Sequence, residues 1–583
     1  MNSPTWLHAA DLRVGLGCMR LPAGTERDQV MAMETIGTAA DAGIVIFDTA
    51  HAYGADPAIP GQNERLLARA LRQAGAEQRA RIATKGGMTR AGDQWIPDGR
   101  ARTIRADCEA SLAALDGLPI DLYLVHAPDP RTPWRTTVRA LAELQREGLV
   151  RTVGVANVNR RQLDEALEVV EVAAIQVALS VLDDTAVRGG LVELCEERGV
   201  ALIAHSPLGG PRRASGLARR EPLISVARQC GASPHEVALA WVLDVSPVVV
   251  AIPGARRPET ARSAARAAAL ALTPGDRAVL SRGFAWPQRQ PAEASTGNDG
   301  EVVIVMGIPG SGKTRYADEY IARGYLRLNR DERGGSLRDL NSALDQAFVA
   351  GSRRIVLDNT YLTRATRSHV IEVASRHHVP ARCVWIDTPL AQAQVNLVER
   401  LLDRYSTLPD PERLRVLART EPGILLPTNQ MRAYRELEPP SADEGFAAVE
   451  QIPFVRAAHP STGATGGVFV AVAAMSAPGW EAAVAGIPRR LPCLLFDWEP
   501  GAQPDALDAD AARLSAVLHE RVTTAVCAHA AGPPVCWCRP PLPGLVQAFA
   551  RANNVDVSRS TLVGAGPAHR TLARTLGAAY VAV

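Results

Sequence analysis

Two lysines stand in a chain of 583 residues, Lys85 and Lys313, and every other member of its 64 lysine-plus-arginine positions is an arginine. Generic positive charge is thus carried by guanidinium. A retained lysine marks a place that needs a compact amine, whose pKa can move or whose point charge fits a narrow loop. Lys313 lies in such a loop: residues 307–314 read GIPGSGKT and follow an apolar, strand-like run, 302–306. Backbone N–H groups around Gly307, Gly310 and Gly312 converge on phosphate oxygens, Lys313 reaches the β and γ phosphates, and the Thr314 hydroxyl ligates magnesium. The loop therefore predicts ATP with Mg2+. A second cluster lies near the end of the chain, where Cys527, His529, Cys536 and Cys538 bring three thiols and one imidazole into a single loop. That donor set predicts a structural Zn2+ site.

The elements that must position these residues follow from composition and punctuation. With 47% hydrophobic residues the chain can build several cores, and a formal charge of +2 provides no global basic field for nucleic acid or membrane. No segment approaches the ~20 apolar residues of a membrane span, and the N-terminus lacks a basic-then-apolar signal, so a cytoplasmic protein is expected. The nine cysteines, mostly scattered, suit a reducing compartment. Two stretches rich in Pro, Gly, Ser and Ala, 288–300 and 457–467, read as linkers. They divide an α/β chain into 1–287, 301–456 and 468–583.

In the first part, eight short apolar runs alternate with amphipathic helical stretches, at 13–18, 45–49, 81–85, 122–126, 151–156, 173–177, 201–206 and 248–253. Eight such units predict a (β/α)8 TIM barrel. Asp48, Lys85 and His126 each finish a strand, and Tyr53 follows the second, so all four are expected at the rim where barrel active sites lie.

FDTAHAYG, IATKGG, LYLVHAPD, VGVANVN, AHSPLGG and VVVAIPGARRPE occur in this order across residues 10–270. In them the first part resembles the aldo-keto reductases. The resemblance implies a catalytic tetrad of Asp48, Tyr53, Lys85 and His126, with a small-molecule carbonyl as substrate. Tyr53 gives a proton to the alkoxide left by hydride transfer, Lys85 lowers the tyrosine pKa, Asp48 holds the lysine and His126 orients the carbonyl oxygen. It also implies that Asn157 and Gln176 grip the nicotinamide carboxamide, that His205 stacks on the ring in place of a tyrosine, and that Arg256 and Arg257 bind a 2′-phosphate, favouring NADPH. Ala156 stands where the family usually has serine, and Ser263 and Ala264 where it often has Glu and Asn.

The second part continues with YLRLNRDERGG, IVLDNTYL and a helix carrying Arg400 and Arg404, which describe a doubly wound P-loop kinase core. Asp358 ends a strand, where an acid can order the magnesium shell. Read together, GSGKT, NRDE, DNT and the late arginine helix resemble the polynucleotide 5′-kinases. By that resemblance Asp331 takes the proton of the attacking hydroxyl, and Arg400 covers the transferring phosphoryl. Gly334 stands where that family often has an acceptor-binding arginine. Arg364 and Arg367 are spaced either to track a nucleic-acid backbone or to form a solvated helix face. Residues 421–456 continue this part without assignable chemistry.

The cysteine loop and the ending STLVGAGPAHRTLARTLGA resemble haloacid-dehalogenase-type phosphatases, a Rossmann-like fold. Ala471 and Ala473 stand where that family's aspartates are expected, and Pro540 where its lysine is. An alternative alignment puts Asp497 at the nucleophile, with Glu499 behind it. The third part is thus expected to be a catalytically dead, zinc-stapled module. Together these readings predict carbonyl reduction with NADPH and ATP-dependent phosphorylation of a hydroxyl, with a polynucleotide 5′ end as one acceptor. The alternatives are a barrel that only senses nicotinamide, and a kinase acting on a small molecule.

Overall fold

The computed structural model describes the chain except residues 1–5, 9, 22–24, 57, 92–93, 285, 287–299, 456–464, 504, 531 and 533. Most of the two expected linkers, 288–300 and 457–467, therefore lies outside the described residues. The chain forms two compact units, Met1–Gln290 and Pro291–Val583.

The first unit is built on an eight-stranded sheet whose strands follow chain order: Leu16–Gly17, Ile46–Asp48, Arg81–Gly86, Leu122–Val125, Thr152–Ala156, Val172–Ala178, Ala201–His205 and Val249–Ile252. Every pairing is parallel. Parallel bridges from Val14 to Ala251 and from Gly17 to Gly254 join the first strand to the last, so the sheet closes. Buried on both faces, these strands read as apolar runs rather than as an alternation. Inside the ring Ile46, Ala83, Leu122, Leu124, Ile203 and Val250 form one apolar cluster, and a larger one packs the outer faces against the helices. The arrangement is a (β/α)8 barrel. A hairpin that the sequence reading did not foresee, Met88–Ala91 with Gln94–Pro97, follows the third strand.

The second unit holds two five-stranded parallel sheets. In the one running from Glu301–Met306 to Ala448–Pro453, the first strand lies between the third, Arg354–Asp358, and the fourth, Ala381–Asp387. In the other, from Val468–Ala471 to Ala579–Ala582, the first strand lies between the second, Cys493–Trp498, and the fourth, Thr561–Gly564. In such open sheets the strand order reverses beside the first strand, and ligands settle outside the carboxyl ends there.

One helix, Leu390–Tyr405, joins the two halves of this unit. Its Val395 packs with Phe469, Phe496 and Phe549 of the C-terminal sheet, its Gln392 Nε2 donates to the Thr575 carbonyl (2.6 Å), and its Asp403 pairs with Arg551. From the same helix, Asn396 Nδ2 donates to the Gly310 carbonyl (2.7 Å).

Candidate functional sites

At the rim of the barrel the four residues singled out by the sequence meet. Lys85 is fully buried, and its Nζ donates to both Asp48 oxygens (2.8 and 2.9 Å), to the Thr49 carbonyl (2.7 Å) and to the Tyr53 hydroxyl (3.4 Å). Three donor directions are thereby used, two of them on an anion. Burial works against the ammonium, but the Asp48 charge and the Tyr53 hydroxyl outweigh it, so the lysine sits above its ordinary pKa. The Tyr53 and His126 rings meet edge to face at 5.6 Å. Burial first, then Lys85 and His205, push His126 down to about 3, so it is a neutral imidazole near pH 7.

The influence of Lys85 on Tyr53 has the expected sign but is not the largest one. Lys85 does pull the Tyr53 pKa down, but desolvation of the buried phenol is larger, and the net displacement is upward. Tyr53 is therefore held protonated, the form a proton donor needs.

Around this core, Gln176 Nε2 donates to Asp48 Oδ1 (2.6 Å), bracing the carboxylate. Asn157, in the left-handed region at φ 56°, donates to the His126 carbonyl (2.9 Å), and its Oδ1 lies 3.2 Å from His205 Nε2. Ser263 turns to Glu236 (2.9 Å) and Ala264 is buried, so neither reaches the rim. Arg256 and Arg257 are exposed immediately before the helix Pro258–Ala268, whose first turn has no side-chain cap. The unforeseen hairpin adds Trp95, its ring 6.1 Å from Tyr53 and 5.8 Å from His126, with the Arg90 guanidinium 5.2 Å above it. No motif announced Trp95. Its only sequence signal was an aromatic residue in a polar, glycine-bearing stretch after Lys85.

The second site is a cleft of about 510 Å3 lined by Gly310, Gly312, Lys313, Thr314, Asp331, Asp358 and Arg400, among others. Gly310 (φ 85°) and Gly312 (φ 91°) hold the turn, and a Cβ on Gly310 would collide with the Ala393 carbonyl of the joining helix. The helix Lys313–Ala322 starts here without a side-chain cap, and the buried Ser311 hydroxyl has no hydrogen-bond partner among the described residues. Lys313 Nζ donates to the carbonyls of Gly307 (3.1 Å) and Ile308 (3.0 Å). Among the described residues it makes no ion pair. Desolvation, with Arg400 adding to it and Asp358 only partly opposing, lowers Lys313 to about 8.

Asp358 is committed to Arg327 (2.5 Å) and receives Asn329 Nδ2 (3.2 Å). Asn329 also caps the short helix Arg330–Arg333 by accepting from the Asp331 and Glu332 N–H groups, which turns Asp331 to the cleft. Arg400 donates to the Gly423 carbonyl (3.0 Å) and Arg404 to that of Pro422 (3.3 Å). Residues 422–425 thus wall the cleft, and Gln430 donates to the Pro309 carbonyl (3.0 Å), a role the sequence did not disclose.

Both readings are corrected for Arg367, whereas Arg364 stays at the surface in an ion pair. Arg367 is fully buried, bound by two nitrogens to Glu444 (2.7 and 2.8 Å), and Arg364 pairs with Asp443 (2.7 Å). The acids come from about 80 residues downstream, beyond the reach of local spacing.

In the C-terminal sheet, Cys527, His529, Cys536 and Cys538 offer ligand atoms all within 4.8 Å of one another. Ala471 ends the first strand and Asp497 lies within the second; burial foremost raises the Asp497 carboxyl, with Glu499 adding to it.

Two family models match the chain: the Aldo/keto reductase family over residues 13–280 and an AAA domain over 302–422. An oxidoreductase of Schizosaccharomyces pombe is 30% identical over 268 residues, covering 45% of this chain and 83% of that protein. Aldo-keto reductase str7 of Strobilurus tenacellus is 30% identical over 270 residues, 41% of this chain and 77% of its own. Among solved structures, an aldo-keto reductase from Klebsiella pneumoniae in complex with NADPH is 25% identical, covering 48% of this chain and 92% of that one, with a TM-score of 0.41. The second unit contains a P-loop, kinase-like domain, and through its barrel the chain belongs to the aldo/keto reductase family.

Proposed function

We propose that the protein is a bifunctional enzyme: an NADPH-dependent reductase of a small-molecule aldehyde or ketone, and an ATP-dependent kinase that phosphorylates a hydroxyl. The observation that carries the first activity is the buried Asp48–Lys85–Tyr53 chain beside a neutral His126. NADPH, when bound, supplies the hydride. Tyr53 donates the proton to the carbonyl oxygen, and Lys85 stabilises the phenolate that remains. Asp48 keeps the lysine charged, and His126 orients the carbonyl by hydrogen bonding. The donors fit the cofactor: Asn157, Gln176 and His205 at the ring end, and two exposed arginines at an uncapped helix start for a 2′-phosphate.

The second activity rests on the glycine-walled cleft. Lys313, held by carbonyls and easily deprotonated, fits a site completed by a polyphosphate anion. Thr314 would ligate Mg2+, Asp331 would take the acceptor proton, and Arg400 would face the transferring phosphoryl. Asp358, tied to Arg327 and Asn329, would act on the metal shell from that fixed position. A polynucleotide 5′-hydroxyl is one acceptor. The burial of Arg367 and the surface pairing of Arg364 favour a second reading, a small-molecule acceptor, because both guanidinium groups are already engaged by acids of this chain.

The three thiols and one imidazole of the C-terminal loop suit Zn2+: four of their contacts span 3.2–3.7 Å and all four ligand atoms lie within 4.8 Å of one another, a cluster tight enough to surround one ion with bonds of about 2.0–2.3 Å. We assign residues 468–583 to a phosphatase-type domain without its catalytic aspartates. Labelled ATP offered with 5′-hydroxyl RNA, DNA and small polyols tests the acceptor. Label only on small molecules ends the nucleic-acid reading; label on neither, with ATP bound, ends the kinase.

A further inference from the structure

We infer that the C-terminal sheet is a structural part of the nucleotide cleft, and that metal held by Cys527, His529, Cys536 and Cys538 sets the cleft's affinity for ATP through Trp537. The inference rests on the ATP-binding reading of that cleft.

Trp537 stands between two of the four donors, Cys536 and Cys538, and is 2% exposed. Its indole N–H donates to the Leu425 carbonyl (2.9 Å), and its ring packs in one apolar cluster with Leu397, Val398, Leu401, Leu402, Ile424 and Leu542. Leu425 and Ile424 are cleft-lining residues, and the two residues before them, Pro422 and Gly423, carry the carbonyls that hold Arg404 and Arg400. Leu408 touches both the thiol cluster and the Trp537 cluster. From the metal loop to the arginine at the phosphoryl position there are thus only packed or hydrogen-bonded steps.

The joining helix gives a second path to the same place. One side of it supports the phosphate loop through Ala393 and Asn396; the other is buried against Val546, Phe549 and Leu572 of the C-terminal sheet through Val395. Four metal bonds fix both neighbours of Trp537 at once, so the indole presents a rigid wall to Leu425. With the donors released, that wall loosens and the 422–425 segment follows. Trp537 is a positioning residue and touches no substrate.

The test uses the full chain. Metal content is measured, metal is stripped with a chelator, and affinity for a fluorescent ATP analogue is read before stripping, after it and after Zn2+ is restored. About one zinc per chain, with affinity falling roughly 5- to 150-fold on stripping and recovering on restoration, is the expected result. Absence of bound metal, or unchanged affinity after stripping, overturns the inference. Trp537→Phe in the metal-loaded protein decides the matter if stripping unfolds the unit. It should keep its zinc and its far-UV dichroism while KM for ATP rises and kcat changes little; an unchanged KM would overturn the inference. Failure of the underlying reading looks different: the wild-type, metal-loaded chain would then bind the analogue no better than Lys313→Ala.

Discussion

The two lysines of this chain sit in opposite electrostatic circumstances. Lys85 is buried with a carboxylate in direct contact and is held above its ordinary pKa; Lys313 is half-buried against carbonyls and falls to about 8. Desolvation is the largest influence on both, and what differs is the presence of a counter-charge. The barrel site therefore carries its own compensating anion and is ready before substrate arrives. On the proposed reading, the cleft takes its anion from the ligand. A buried amine next to an acid reads as proton-transfer machinery, and one without an acid reads as an anion receptor.

The comparison can be sharpened by mutation, first at the cleft. Lys313→Ala should lower phosphoryl transfer by about 100-fold or more in a labelled-ATP assay, leaving NADPH oxidation unchanged. A parallel loss of both activities would break the claim of separate centres.

Arg367→Ala leaves Glu444 buried without its partner and should cost the second unit about 3–5 kcal/mol, read as a lowered denaturation midpoint in urea. The first unit's transition should stay where it is.

A pH series addresses the lysines themselves. Lys313 loses its proton as pH rises through about 8, whereas bound phosphate favours the charged form. ATP affinity should be flat below about pH 7 and fall up to about tenfold per unit above 8, with calorimetry showing proton uptake on binding. Lys313→Arg should remove that dependence. Reduction should show no basic decline in this range, because Lys85 and Tyr53 both titrate above their ordinary values.

The smallest effect concerns the hairpin. Trp95→Ala should raise KM several-fold for aromatic aldehydes, by about 1 kcal/mol, and leave that for short aliphatic ones nearly unchanged.

What the sequence disclosed follows from the range of the physics involved. Strands buried on both faces leave apolar runs, so all eight barrel strands could be read, and residues finishing them marked the rim. Lysine scarcity drew attention to both candidate sites, where a compact amine makes contacts that the larger guanidinium group does not reproduce. Hidden were the contacts whose partners lie far apart in the chain: Arg367 with Glu444, Gln430 with the phosphate loop, and Trp537 with Leu425. The net rise of the Tyr53 pKa was equally hidden, because it depends on depth of burial rather than on neighbours in sequence. The Cys-Trp-Cys triplet could have pointed to Trp537, as a large ring between two buried cysteines packs into a neighbouring core.

The central claim, that each lysine serves a separate active centre, is tested most directly by NADPH oxidation with a panel of aldehydes for the wild type, Tyr53→Phe and Lys313→Ala. The account predicts turnover in the wild type and in Lys313→Ala, and a loss of about 100- to 10,000-fold in Tyr53→Phe. Tight NADPH binding without turnover of any carbonyl would contradict it and make the barrel a nicotinamide sensor.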